Sequence, residues 1–481
     1  MAAVASIAVG GAARAAPTER FAEREGLTCS ACHVASNGGP LNAFGRDYRW
    51  RAPLVEDGVP PQANAGDPAA ASAVGGGGAS ASDPSLAGRW SGEAALYARR
   101  GRERAFGLRT RQWSATETLR LRGDALFGNE ALSFRGEGFA QQADSTSDYG
   151  LEDDSADFTA AEVTWRGSAR GSFVRFGRQF VVAGAAVRRV DGAALRQPLG
   201  GAFELDLFGG APTDDGIGGR SGDRLFGGRL GARLGSAWTA GVSGFYAQDH
   251  GDASDVKGGL DLGWRPARWL DLSSHAYFDW IADELYDARV HAVVMPSIAW
   301  QLAFDYVHSI PGLFLPKSSL YTVFSNEAYD EAGLALTHRF AADLAANLFG
   351  RHTDYESSES LLQAGGGLDA RYGPNGEDAV GLEAGWQDES RDSFGGSSTD
   401  DDALFVRGYH LLWWTASLYT SLDASRQHVL GGAFGRDATL VRLAAGFDPH
   451  RAWDVEVGAD WVRDPDFEDR LDLFARLRWR F

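Results

Sequence analysis

In the stretch Leu471-Asp472-Leu473-Phe474-Ala475-Arg476-Leu477-Arg478-Trp479-Arg480-Phe481, Leu471, Leu473, Ala475, Leu477, Trp479 and Phe481 point one way while Asp472, Arg476, Arg478 and Arg480 point the other. Side chains alternate across a strand, so this is a β-strand with one apolar and one charged face. A soluble edge strand would show the pattern once. Here it recurs: Leu270, Leu272, Ala276, Phe278 and Trp280 alternate with Asp271, Ser273, His275, Tyr277 and Asp279. From Gly88 onward the chain repeats such segments, each roughly ten residues long and bounded by turns, which is the pattern of a membrane β-barrel with an apolar outside and a polar lumen. Tryptophans gather at segment ends, as at Trp264, Trp269, Trp413 and Trp414, where an aromatic girdle belongs.

Composition agrees with this. The 481 residues include 62 Gly, 27 Phe and 15 Trp, a mix that suits β-structure, and only two Lys. No apolar run approaches the roughly 18 residues that a membrane helix needs. Carboxylates outnumber basic groups 65 to 46, for a net charge of −19, so nucleic acid is disfavoured as a partner. Outer-membrane lipid is the expected surroundings. Counting turns back from Phe481 puts Arg463–Asp469, Ser390–Asp402, Ile310–Asn326, Asp249–Val256 and Gly209–Gly222 outside, and the bends at Gly373–Gly376, Pro296-Ser297, Pro266-Ala267 and Gly235-Ser236 inside. If Ala185 to Gly209 holds two strands, the total is even. The expected fold is all-β, a transmembrane antiparallel barrel over residues 88–481 of about 22 strands, with 18 to 22 allowed, wide enough to need a plug.

The first 87 residues divide in three. Residues 1–16 have the apolar core and small-residue cleavage site of a signal peptide, without a basic n-region. Residues 17–51 hold Cys29-Ser30-Ala31-Cys32-His33, the spacing C-x-x-C-H. Two thiols three positions apart can each add to a haem vinyl group, and the adjacent histidine can ligate the iron, so one covalent haem c is expected on Cys29, Cys32 and His33. A lone disulfide, a redox dithiol and half a zinc site compete. The βαβ setting of a dithiol is absent, and the next histidine, His250, is too distant for zinc. Residues 52–87 are Ala, Gly, Ser, Pro and Asp, a flexible linker that cannot bury enough apolar surface to order itself.

The approach Phe21-Ala22-Glu23-Arg24, the C-x-x-C-H motif, and Leu41-Asn42-Ala43-Phe44-Gly45-Arg46 resemble the haem segment of the outer-membrane fused monohaem cytochrome–porin family, whose members include iron oxidases. The resemblance covers about thirty residues. It implies a haem segment on the periplasmic side or in the lumen of an outer-membrane barrel, ferrous iron or another extracellular metal as electron donor, and periplasmic c-type cytochromes as partners. The linker is longer than the family's joint, which leaves the haem's position loosely specified.

A distal iron ligand is missing from residues 17–88, which contain no Met, no Lys and no second His. In the strand from Leu285 to Met295, parity puts Asp287, Arg289, His291, Val293 and Met295 in the lumen, with His275 on the same face of the preceding strand. Met295, with His291 and His275 behind it, is the candidate distal set; a packed Met or a hydrogen-bonding lumen His is the competing reading. His308, His338 and His352 are expected to face lipid. The outward loops carry Asp148, Glu152, Asp153, Asp154, Asp157, Asp214, Asp215, Asp400, Asp401, Asp402, Asp464, Asp466, Glu468 and Asp469, which suit divalent cations or a solvated rim.

Three functions fit. The first is electron transfer across the outer membrane by the haem, with no proton-transfer dyad or nucleophile required. The second is a substrate porin with a haem-bearing periplasmic appendage. The third is a barrel that partners a separate multihaem cytochrome.

Overall fold

The structure, a computed structural model, describes residues 33–35, 38–41, 89–105, 108–145, 155–168, 171–213, 223–249, 252–310, 328–356, 360–373, 376–392, 398–430, 437–448, 452–463 and 469–481. Two short strands, β1 (His33–Ala35) and β2 (Gly38–Leu41), pair antiparallel. The remaining 22 strands, β3 (Arg89–Ala105) to β24 (Asp469–Arg480), form one closed barrel in which each strand pairs with its sequence neighbours and β24 pairs with β3. The 22 strands expected from the turns are therefore present. The stretch from Ala185 to Gly209 does contribute two of them, within β8 (Ala186–Leu199) and β9 (Phe203–Pro212).

Closure follows from the terminal alternation. Gly92 and Phe481 exchange backbone hydrogen bonds of 2.8 and 3.0 Å, ending the seam between β24 and β3. Among the described residues no helix is long and apolar enough to cross a membrane. The strands do the crossing: closing the ring gives each strand a ladder with both neighbours, as hydrocarbon requires, except where the end of one hairpin leaves the wall.

The outer face is apolar and exposed. On β23 (Trp453–Arg463), Trp453, Val455, Val457 and Trp461 point outward, and Val457 keeps 52% of its surface exposed. Exposure on that scale, repeated around the ring by residues such as Leu262, Leu348, Leu382 and Leu443, fits lipid rather than water. Trp238 stacks on Trp264 at 5.2 Å and Trp453 on Trp479 at 5.6 Å, and Phe481 lies tilted against Trp479 at 4.5 Å, building a girdle at the end where the short turns lie. Short turns are periplasmic in outer-membrane barrels, so the girdle end is the periplasmic mouth, and strand ends such as Ser309 and Tyr329 lie at the extracellular one.

The inner face is held by ion pairs. Asp472, with 0% exposure, accepts from Arg470 at 2.8 Å and from Arg99 of β3. Arg442 donates through both Nε and Nη2 to Asp460 at 2.6 and 2.7 Å, and Arg407 binds Asp423 in the same forked way at 3.2 and 2.7 Å. Planar guanidinium forks match carboxylates where a lysine ammonium does not, which gives the scarcity of Lys a structural reason. Phe474 breaks the polar face predicted for β24. It is buried in the lumen wall beside Tyr97, with the Arg442 guanidinium 5.4 Å from its ring centre.

Val457 sits midway between Trp453 and Trp461, so Val457→Arg should cost about 2–4 kcal/mol when unfolding by urea is followed in lipid vesicles. A cost under about 0.5 kcal/mol would place this face out of hydrocarbon. Asp472→Ala leaves two guanidiniums without their carboxylate and should cost about 3–5 kcal/mol in the same assay.

Candidate functional site: the lumen and its inward hairpin

The lumen is narrowed at one place by the barrel's own wall. Strand β7 (Phe173–Ala183) pairs with β6 (Ser155–Arg166) only as far as Arg178, opposite Ala161, and β8 pairs with β9 only from Val190 onward. Residues 179–188 therefore leave both neighbours. At the point of departure Gly177 has φ +116°, and a β-carbon there would collide with the Ala161 carbonyl oxygen, so only glycine makes this bend without strain.

Beyond the bend, the inward-facing side chains of the hairpin pack on the inner face of the next three strands. Val181, Ala183, Ala186 and Val190 form one buried cluster with Phe208 of β9, Leu225 of β10 (Arg224–Leu234), and Phe245 and Ala247 of β11 (Trp238–Asp249). Phe208 stacks on Phe245 at 6.2 Å. Fully burying a Val, Leu or Phe contributes on the order of 1.5–3 kcal/mol, enough to offset ladder bonds given up when the hairpin left the wall.

Polar contacts fix the tip. The Ala185 amide donates to Ser243 Oγ at 2.9 Å, and the Tyr286 hydroxyl donates to the Ala185 carbonyl at 3.1 Å. Tyr286 belongs to β14 (Glu284–Ser297), so the tip spans from its own wall to a strand well around the ring. Beside it Lys257 lies buried, 3.1 Å from Asp255 and 4.7 Å from the centre of the Tyr286 ring, while Arg188 of the hairpin is 3.6 Å from Asp255. The result is a constriction with an apolar foot and a charged border.

The histidines predicted for the lumen are there. In β13 (Leu270–Asp279) and β14, His275 is register partner of Arg289 and Ser273 of His291, which puts both imidazoles on the charged face as diagonal neighbours. Each is held by a carboxylate: His275 Nε2 by Asp287 and His291 Nδ1 by Asp305, both at 2.5 Å. His291 Nε2 is buried without a hydrogen-bond partner. Met295 lies four residues past His291 toward the periplasmic turn, roughly 13 Å along the strand, so the three side chains do not converge on one point. Among the described residues no group of three His, Cys, Asp or Glu converges as metal ligands.

His308, His338 and His352 face outward as expected: His308 meets Asp330 at 3.1 Å, and His338 packs on Trp300 at 4.0 Å. Cys29 and Cys32 lie outside the described residues, and of His33 only the backbone is described, at the start of β1. The same holds for the loop carboxylates Asp148, Glu152, Asp153, Asp154, Asp214, Asp215, Asp464, Asp466 and Glu468, which lie outside the described residues.

The inward hairpin was missed by strand counting. Its signal is the run Phe180-Val181-Val182-Ala183-Gly184-Ala185-Ala186-Val187, apolar on both faces where a wall strand should alternate.

No protein-family model matches the chain, and no curated protein does. Among solved structures it is similar to the P pilus usher (PapC) translocation pore at 11% identity and a TM-score of 0.48, over 81% of this chain and 99% of that one. It is also similar to OccK7 (OpdD) of Pseudomonas aeruginosa, at 11% identity and TM-score 0.42 over 82% and 99% of the two chains. A BenF-like porin from Pseudomonas fluorescens Pf-5 gives 11% and 0.37 over 82% and 100%. At these identities and scores the likeness says nothing of what this chain carries.

If the Tyr286 hydroxyl holds the tip, Tyr286→Phe removes about 1 kcal/mol. Hydrogen exchange at the Ala185 amide should then run about fivefold faster. An unchanged rate would show that the tip is held by other contacts.

Proposed function

We propose that the protein is a channel of the outer membrane, passing small polar solutes through a lumen lined by ion-paired arginines and narrowed by the hairpin of residues 179–188. The observation that carries this reading is the closed ring of 22 strands, apolar outside and charged within. A ring of that size is too wide for its wall side chains to fill. Beside the hairpin stand the part-exposed Asp255 and His275, with the buried Lys257 and Asp279 behind them.

The C-x-x-C-H motif supports a second reading, in which a covalent haem c makes the protein an electron carrier between an extracellular donor such as Fe²⁺ and periplasmic c-type cytochromes. The donor set suits the group by its chemistry: Cys29 and Cys32 would hold the porphyrin by thioether bonds and His33 would ligate the iron, which would supply one-electron transfer. Strand β3 begins at Arg89 on the periplasmic side, so the linker of residues 52–87 joins the barrel there. Of the three lumen candidates for distal ligand, Met295 is nearest the periplasmic mouth, while His291 keeps an unpartnered Nε2 deeper in the wall.

Single-channel recording in planar bilayers separates the two. An open channel should conduct in KCl, and deleting residues 17–87 should leave its current unchanged; a barrel that stays silent until that deletion would replace the channel reading with the haem conduit. The pyridine haemochrome spectrum of exported protein should show one haem c that Cys29→Ser with Cys32→Ser abolishes. Intact thiols in the wild type would end the haem proposal.

A further inference from the structure

The extracellular end of the first hairpin carries a dense set of arginines on its outer face. In β3 and β4 (Leu108–Asp124), Arg102 is the register partner of Arg111 and Arg104 of Arg109, and Arg100 faces Trp113. All five arginines are exposed. They share the outward face with Leu96 and Leu119, and with Leu471 and Leu473 across the seam to β24.

Their height is set by the strand. On the outward face of β3, Trp90 marks the periplasmic girdle, and Arg100 comes ten residues later. Ten residues at about 3.3 Å each, tilted about 40°, rise roughly 25 Å, which is the thickness of the apolar band. Arg100 thus stands at the outer girdle beside Trp113, and Arg102, Arg104, Arg109 and Arg111 stand at and beyond it, among the headgroups of the outer leaflet.

Like charges directly opposite each other on paired strands repel, and here two such pairs are stacked. The described carboxylates on this face at this end are Asp144 of β5 (Leu132–Ser145), which accepts from Trp113 Nε1 at 3.2 Å, and Asp469, register partner of Arg104. Arg100, Arg111, Gln112, Trp113 and Asp144 line a groove on this surface. At two other places on the outward rim carboxylates face each other instead: Asp330 faces Asp354, and Asp388 faces Asp402.

We propose that this arginine face binds the phosphate-bearing headgroup of a lipid of the outer leaflet, with Arg102 and Arg111 as its centre and Trp113 against the lipid's acyl boundary. Guanidinium forks take phosphate oxygens in pairs, and an indole at this depth lies where headgroup meets chain. The site stands on barrel geometry alone and holds whether the lumen conducts or not.

The test is native mass spectrometry of the full chain released from phosphatidylcholine nanodiscs containing a few per cent of diphosphorylated lipid A. Wild type should retain lipid A, dephosphorylated lipid A should be retained at least tenfold less, and millimolar inorganic phosphate should not displace it. Arg102→Gln with Arg111→Gln should lose retention at least tenfold, whereas Arg102→Lys with Arg111→Lys keeps most of it; heat-modifiable gel mobility checks that both variants are folded. Equal retention of the two lipids by wild type, or a folded glutamine variant that retains lipid A normally, overturns the proposal. Displacement by inorganic phosphate would instead identify a free-anion site and overturn the lipid assignment.

Discussion

The pairing of β24 with β3 is the constraint on which the rest depends. A strand edge left open in hydrocarbon carries a row of unmet amides and carbonyls, each costing several kcal/mol, so the sheet must close on itself. Closure fixes the strand number as even and sends every side chain to one of two solvents. From that division the exposed leucines and tryptophans outside and the arginine–carboxylate forks inside both follow.

That division is also why so much of the barrel was legible. Leu471 to Phe481 alternates because lipid and lumen alternate along it, and the same logic placed His275 and His291 on the inner face, and His308, His338 and His352 on the outer. Turn positions then gave the strand count. What could not be read was where the wall leaves its own surface. Gly177 and the apolar run after it depend on contacts with Phe208, Leu225, Phe245 and Tyr286, which lie far along the chain and are brought near only by closure. Phe474 was hidden for the same reason, since its partners Tyr97 and Arg442 come from β3 and a strand before β23. The carboxylates that hold each histidine were likewise invisible, because Asp287 and Asp305 become partners only through register.

The lumen is less a hole than a charged lattice. Nearly all its bases are arginines, and most carboxylates on the inner face have a guanidinium, imidazole or hydroxyl within hydrogen-bond reach. On the channel reading proposed above, selection among solutes falls mainly to the constriction, where Arg188, Asp255 and His275 border the hairpin's apolar foot.

The departure of the hairpin has a cost on the flank it leaves. Past Ala161, β6 has no ladder with β7 on that side, and the gap is spanned by side chains: Arg178 reaches the Phe158 carbonyl at 3.1 Å and Asp157 at 2.6 Å, and Arg189 reaches Asp157 at 3.2 Å. Over this stretch the wall is sutured by ions in place of peptide groups. Ionic strength, which leaves backbone ladders untouched, therefore acts on the cylinder at this lateral notch first.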